Sequence, residues 1–327
     1  MSSVKIQRQV QPQEPTALIV NPHSRMGGER FEEARRTLGL ALNLVYSSLP
    51  GTEEEFVQTV EDQRAAGIRR IVVGGGDGTL SAAANVLAGS PVVMGILPLG
   101  TGNTFAAGLN LPGSLSALAQ LLAEGPSVAI DLGLARTSGH QRYFLNTATL
   151  GVSERLTQLL TPESKKRLGW MAWPKGVRRA IAMTPVFQVR MEFRHRIAAF
   201  KTRQLIVANG RNLAGPVFTL DNASHDDGKL HVFSLGGEDW WSLLQVGLVL
   251  FVGRHISGRS AHYEQVKQVH ISAEPSMAID IDGEVWEQTP CTFSVSHGAL
   301  QVIANSHDNE NPNAGAPHGQ CETVHNH

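Results

Sequence analysis

Apolar positions in the first third of the chain come in short runs separated by turn residues and by helix-period stripes. Ala17 to Val20 is an apolar run that ends in Asn21-Pro22-His23-Ser24-Arg25-Met26-Gly27-Gly28. A short run bounded by turn residues predicts a buried strand. A helix is predicted from about Glu29 to Leu38, a strand over Leu42 to Tyr46, and a helix over Glu53 to Ala66 with Phe56, Val57 and Val60 on one stripe. Arg70 to Val73 predicts a third strand, which runs into Gly74-Gly75-Gly76-Asp77-Gly78-Thr79. Ser81 to Leu87 is Ala-rich and helical, and Val92 to Leu97 is a fourth strand ending in Leu99-Gly100-Thr101-Gly102-Asn103-Thr104. Ser114 to Glu124 closes the series as a helix. Strand alternating with helix predicts an α/β domain with an open, mostly parallel sheet and helices on both faces. In such sheets ligands bind beyond the carboxyl ends of the strands, where both glycine-rich turns lie.

After Asp131 the pattern changes to short strand-like runs: Tyr143 to Ala148, Phe187 to Phe193, Lys201 to Ala208, Leu230 to Ser234, Val266 to Ser272, Met277 to Ile281 and Thr292 to Val295. Helical insertions are expected near Val152 to Met183 and Trp240 to Ile256. The organisation expected is a flexible N-terminus over 1–15, an α/β nucleotide-binding domain over 16–132, a β-rich acceptor domain over 133–304 whose end returns to the first domain, and a disordered tail over 305–327. A length of 327 residues agrees with two domains.

Composition narrows the function classes. A hydrophobic content of 42% is enough for substantial cores, and a net charge of −1 gives no global attraction to nucleic acid. Cys291 and Cys321 have neither CxxC nor Cys/His spacing, so no disulfide framework or zinc site is supported. The polar N-terminus lacks the apolar core of a secretory signal, and Trp240 to Val252 falls short of the about 20 residues a membrane span needs. The expectation is a cytoplasmic protein.

The loop Gly74 to Thr79 has the chemistry of a phosphate site. Glycines let successive N–H groups converge on one anion, and the following helix presents its N-terminus to the same point. Asp77 repels a phosphate unless a metal or a proton lies between, so a carboxylate there implies Mg²⁺ or catalysis. The loop is neither a Walker A sequence nor a dinucleotide GxGxxG. Taken alone, it also reads as a tight strand-to-helix turn capped by Asp77.

Asn21-Pro22-His23-Ser24, Gly74-Gly75-Gly76-Asp77-Gly78-Thr79, Pro98-Leu99-Gly100-Thr101-Gly102-Asn103-Thr104 and Asp226-Asp227-Gly228-Lys229 occur in that order. Together they resemble the bacterial diacylglycerol kinase family, which includes sphingosine-kinase-like lipid kinases, from about residue 16 to 304. The resemblance implies an ATP site formed by Asn21, Pro22, His23, Ser24, Ser47, Gly75, Gly76, Asp77, Gly78, Thr79, Leu80, Ser81 and Thr101. It makes Asp282, of Asp282-Gly283-Glu284, the leading base for the acceptor hydroxyl, with Asp77 as the rival base and Glu284 as its support or a metal ligand. It also implies a structural Mg²⁺ held by Asp227 and the carbonyls of Ser224 and Lys229. Read without the family, Asp282-Gly283 is a hairpin turn and Asp226-Asp227-Gly228 a β-turn. The chain departs from the family at Ala82 and Thr104, where carboxylates often surround the metal. Asp131 matches a carboxylate the family keeps and is expected to compensate.

Lys165-Lys166-Arg167 with Trp170, Trp173, Lys175, Arg178 and Arg179 mixes cations with interfacial aromatics. That mixture suits peripheral docking on an anionic membrane surface, and equally a packed element with a solvated basic face. The leading function is an ATP- and Mg²⁺-dependent lipid kinase acting on a membrane lipid such as diacylglycerol at the inner membrane surface. The alternatives are a kinase of a soluble alcohol such as NAD, and a non-catalytic nucleotide or lipid sensor. An exposed sheet edge would permit a homodimer.

Overall fold

A computed structural model describes residues 8–109, 111–152, 183–210, 212–214, 218–219, 224–235 and 262–304. The expected helical insertions over 153–182 and 240–256, the basic Trp-bearing segment and the tail lie outside the described residues. The chain begins with a two-residue strand, β1 (Arg8–Gln9), which pairs antiparallel with Ser127 and Pro126. Val10 beside it is buried, so the stretch expected to be flexible is partly built into the fold.

The α/β unit follows as β2 (Thr16–Val20), α1 (Gly27–Ala41), β3 (Leu44–Ser48), α2 (Glu53–Ala65), β4 (Arg70–Gly75), α3 (Asp77–Leu87) and β5 (Val93–Pro98). The four larger strands are parallel in the order β5-β4-β2-β3. Alternate strand residues point to opposite faces. Leu18, Val20, Val72 and Leu97 therefore pack with Phe31 and Leu38 of α1, while Ala17, Ile19, Ile71, Val73 and Ile96 pack with Phe56 and Val60 of α2 and Leu80 and Leu87 of α3. Burial on both faces is why these strands read as unbroken apolar runs. The helix expected from Ser81 starts at Asp77, with Gly76 as its extended N-cap residue. The phosphate loop is correspondingly shorter than the sequence pattern suggests. A short α4 (Thr104–Gly108), not expected from sequence, precedes α5 (Leu115–Glu124), whose cap Ser114 accepts from Ala117 N.

Next comes β6 (Pro126–Arg136), which runs straight through the expected domain boundary near residue 132. Then follow β7 (Gln141–Phe144), β8 (Thr147–Gly151), β9 (Phe187–Glu192), β10 (Ile197–Thr202) and β11 (Gln204–Ala208). The single run expected over Lys201 to Ala208 is divided between β10 and β11, which belong to different sheets. The remaining strands are β12 (Asn212–Ala214), β13 (Phe218–Thr219), β14 (Leu230–Leu235), β15 (Tyr263–Val266), β16 (Gln268–Glu274), β17 (Ala278–Ile281), β18 (Glu284–Gln288) and β19 (Cys291–Ile303).

Strand β19 joins the halves of the molecule. Its start pairs antiparallel with β16, and near its end Gln301 pairs parallel with Val93 of β5. The result is one mixed sheet in the order β10-β9-β16-β19-β5-β4-β2-β3, with β6 also on β19. A second sheet, β15-β14-β11-β8-β17-β18, is wholly antiparallel. Phe144, Phe187, Val189 and Phe293 from the mixed sheet pack against Leu150, Leu205, Val207, Ile279 and Ile281 from the second, making a β-sandwich core. The α/β unit with a β-rich second unit is the expected fold class. Among the described residues no helix is long and apolar enough to cross a membrane.

Candidate functional site

From β2 the chain runs to the edge of the sheet at β3, and from β4 it runs in the opposite direction to β5. The switch point of this open sheet thus lies between β2 and β4, where ligands bind beyond the strand ends. A cleft of about 340 Å³ opens there. The turn after β2 contributes Asn21, His23, Ser24 and Arg25, the junction after β4 contributes Gly76 with Gly78 and Thr79 of the first turn of α3, and the turn after β5 contributes Gly100 and Thr101. Glu53 and Phe56 from α2, Ala82 from α3 and Glu284 from the second sheet complete the wall.

Hydrogen bonds tie the three turns together. Asn21 N donates to Gly74 O at 2.9 Å, and Asn21 Nδ2 donates to Thr79 Oγ1 at 3.0 Å. Asn21 Oδ1 accepts from His23 N at 2.9 Å, an Asx turn that points the following residues at the cleft. The two glycine loops touch. A Cβ on Gly100 would stand 2.5 Å from Gly76 Cα, so the backbones approach as no other residue allows. Asp77 lies at that junction. Its Oδ1 accepts from Phe105 N at 3.1 Å, while Oδ2 faces Gly102. The N-terminus of α3 aims its free N–H groups and positive dipole end at the same cleft.

Not every expected nucleotide contact faces this space. Asn21, His23, Ser24, Gly76, Gly78, Thr79 and Thr101 line it, but Pro22, Ser47, Gly75 and Leu80 do not. Leu80 is fully buried, because the helix begins at Asp77 and its period turns that side chain into the core. Ser47 sits on edge strand β3 away from the cleft wall. Ser81 is also fully buried, and its hydroxyl donates to Asp282 Oδ2 at 2.9 Å.

The Asp282-Gly283-Glu284 segment is both hairpin and site. Ile281 pairs with Glu284 across β17 and β18, and Asp282 (φ 50°) and Gly283 (φ 95°) form the two-residue turn. Positive φ at both positions is the geometry that favours Asp-Gly in tight hairpins. Glu284 Oε1 comes 3.5 Å from where a Gly78 Cβ would be, and Glu284 Oε2 accepts from Arg142 Nη2 of β7. Asp282 points the other way. Its Oδ1 accepts from Asn146 N (2.9 Å) and Thr147 N (3.1 Å), and its Oδ2 from Leu145 N (2.8 Å) as well as Ser81. Burial pushes this carboxyl above the ordinary carboxylate range, and the four hydrogen bonds pull it back. Neither Asp282 nor Asp77 lines the cleft, whereas Glu284 does.

Arg142 gave no sign in the sequence. It lies in a short strand of unremarkable pattern, and only the fold brings it to Glu284. Asn85 is a second residue of this kind. One turn after Ser81 on α3, it donates to Tyr143 O at 3.0 Å and accepts from Tyr143 N at 2.8 Å.

Two metal positions were expected. In the cleft, Glu284 offers an oxygen toward the phosphate loop, and Mg²⁺ is commonly bound by one or two carboxylates together with substrate phosphates and water. The residues fit that role despite Ala82 and Thr104. The loop at 224–229 is different. Asp227 Oδ1 accepts from Lys229 N at 2.9 Å, and Oδ2 lies 2.8 Å from Nε2 of buried His231, whose Nδ1 lies 2.7 Å from the Tyr263 hydroxyl. Ser224 O accepts from Asp227 N. Among the described residues no group of three or more His, Cys, Asp and Glu is placed to hold a metal. Of the shell expected there, the Asp227 carboxylate and the Ser224 carbonyl already carry hydrogen bonds from the loop and from His231, and no metal chemistry is derived from it. Asp131, expected to compensate in the cleft, is buried behind that loop. It accepts from Gly228 N (2.7 Å) and Gly298 N (2.8 Å) and contacts His297, so it braces turns instead.

Comparison with known proteins agrees with this architecture. Residues 15–135 match the family model of the diacylglycerol kinase catalytic domain, and residues 147–304 match the YegS C-terminal NAD kinase beta sandwich-like domain. A diacylglycerol kinase of Mycobacterium tuberculosis is 28% identical over 253 residues, covering 74% of this chain and 79% of that protein. One of Staphylococcus haemolyticus is 28% identical over 292 residues, 84% of each. The crystal structure of a diacylglycerol kinase from Bacillus anthracis superimposes with a TM-score of 0.71 at 20% identity, over 90% of this chain and 97% of that one, a likeness of fold. Two matched domains spanning nearly all of residues 15–304, around a cleft with phosphate-loop geometry, place the chain in the diacylglycerol and lipid kinase family of ATP-dependent phosphotransferases.

Proposed function

We propose that the protein transfers the γ-phosphate of ATP to the hydroxyl of a membrane lipid, with diacylglycerol as the acceptor. The observation that supports this best is the cleft at the sheet's switch point, lined by three phosphate-type turns and closed by Glu284 from the β-rich unit. Asn21, Thr79, Thr101 and the N–H groups opening α3 bind the phosphates, and Arg25 and His23 add donors at the mouth. Glu284 is the residue that would hold Mg²⁺ in the cleft, and the ion would supply neutralisation of the phosphate charge.

In the reaction the acceptor oxygen forms a bond to the γ-phosphorus as the bond from that phosphorus to the bridging oxygen breaks, and ADP leaves. The acceptor's proton passes to Asp77, whose Oδ1 is steadied by Phe105 N and whose Oδ2 has no hydrogen bond among the described residues. A carboxylate suffices, since phosphoryl transfer depends on positioning and charge neutralisation more than on a strong base. The acceptor is reached at the inner membrane surface.

The test is transfer of label from γ-labelled ATP, with Mg²⁺, to diacylglycerol in vesicles containing anionic phospholipid, with NAD in the same assay. Labelled phosphatidic acid is the expected product. Label on NAD, or none on any lipid, would remove the lipid-kinase reading.

A further inference from the structure

Asp282 and Glu284 stand on the same hairpin with opposite orientations. An ionised carboxylate has about four lone-pair positions. At Asp282 the chain itself fills four: Asn146 N and Thr147 N on one oxygen, Leu145 N and Ser81 Oγ on the other, all between 2.8 and 3.1 Å. Three of the donors are consecutive backbone N–H groups, the concave arrangement that holds an anion in place. The fourth comes from α3, 201 positions away in the chain. Asp282 N in turn donates to Thr147 O at 2.9 Å, and Gly283 N to Asp280 Oδ1 at 2.9 Å, so the turn is fixed in its backbone as well.

Taking a proton from an acceptor would require displacing one of these donors. A displaced backbone N–H would be left buried without a partner, a cost of about 1–3 kcal/mol before any chemistry. Only the Ser81 hydroxyl can swing aside.

We propose that Asp282 is a positioning residue. Its carboxylate clamps the β17–β18 hairpin to the 145–147 turn and to α3, and so holds Glu284 over the phosphate loop; it does not receive the acceptor's proton. This rests on the phosphotransfer reading of the cleft. Asn85 bonding both polar atoms of Tyr143, one turn along α3, extends the same seam.

Two variants and two readouts test it. Asp282→Asn keeps the shape and replaces one acceptor oxygen by a donor; Ser81→Ala removes one donor and leaves the three backbone bonds, so it remains folded even where the first does not. The readouts are amide hydrogen exchange over residues 141–151 and the pH dependence of kcat. Amide exchange there is expected to speed about tenfold or more in Asp282→Asn and less in Ser81→Ala. The turnover number should fall about tenfold in the first, with the acid limb of the pH profile unmoved in both. Loss of that limb in Asp282→Asn, or unchanged exchange with kcat down about a thousandfold, would make Asp282 the base and overturn the clamp. The exchange readout needs no acceptor, so a protein that phosphorylates no lipid would defeat the reaction reading while still deciding the clamp.

Discussion

The two sides of the cleft are built by different physics. On one side, the junction of β4 with α3 places Gly76 beside Gly78 and Thr79 of the first helical turn, and its geometry is local: glycines, a strand end, a helix start. On the other, the β17–β18 hairpin reaches the same space from the second sheet, and Glu284 meets the loop near Gly78 from a hairpin whose β17 pairs with β8 and whose Asp282 bonds Ser81 of α3. The loop can bind an anion on its own terms, since backbone N–H groups and a helix end need no distant partner. The hairpin carboxylate has value only in register with that loop. Binding is therefore expected to depend on the first side and turnover on both.

The largest effect should come from Asp77→Asn. The amide keeps an oxygen for Phe105 N, so the junction of the two glycine loops survives, while the proton acceptor is lost. General-base removal costs about a hundred- to ten-thousandfold, and kcat is expected to fall about a thousandfold with ATP affinity changed little. Steady-state kinetics beside calorimetric titration with ATP separates the two. A large loss of affinity with kcat preserved would move Asp77 from chemistry to loop architecture.

Legibility followed the same divide. The α/β unit could be read because its strands are buried on both faces and its helices carry one-sided stripes, as with Phe56 and Val60 in α2. The start of α3 was missed because Gly76-Asp77-Gly78 looks like turn, although an extended Gly76 lets the helix begin at once. The family resemblance places Leu80 and Ser81 at the nucleotide, whereas the helical period of α3 turns both side chains inward. In the β-rich part, Asp-Gly marked the hairpin correctly, but nothing local shows which of two nearby carboxylates faces the cleft. Arg142 was invisible, since its meaning lies wholly in a contact with Glu284 across the fold. The return of the chain's end to the first domain was expected, but not its partner: β19 pairs with β5 between residues some 200 apart in sequence, which no window of sequence contains.

Acid should separate the two sides next. His225 is buried edge-on against Phe105, the residue whose N–H binds Asp77, with ring centroids 5.3 Å apart. Burial, the dominant cause, lowers its pKa from 6.5 to about 4, against the nearby Asp226, Asp227 and Asp131. The folded pKa is thus below the unfolded one. Between pH 6.5 and pH 4 the unfolded chain binds a proton that the folded chain refuses, so stability falls as pH falls through that window. The full loss corresponds to about 3 kcal/mol near pH 4. Thermal melts from pH 7 to pH 4 should show the wild type dropping and His225→Phe dropping less, since phenylalanine fills the site without a proton to gain. Parallel curves for the two proteins would assign the acid sensitivity to other groups.

The smallest effect, and the one most specific to the hairpin side, is expected from Arg142→Gln. Arg142 and Glu284 are a partly exposed pair, with side-chain exposures of 22% and 43%, so water screens the attraction and its loss should change stability by less than about 1 kcal/mol. Its geometric role is larger. With Oε2 no longer held by a guanidinium, Glu284 samples rotamers that carry it away from Gly78, and misplacement of a group that acts on the reacting phosphate is felt in turnover. The expected result is kcat lowered about tenfold, with melting temperature and ATP affinity nearly unchanged. Arg142→Lys should recover part of this at most, because an ammonium cannot reproduce the planar donor. If Arg142→Gln turns over at the wild-type rate, the hairpin alone fixes Glu284. The Asp282 seam would then be sufficient to set the register of the two sides.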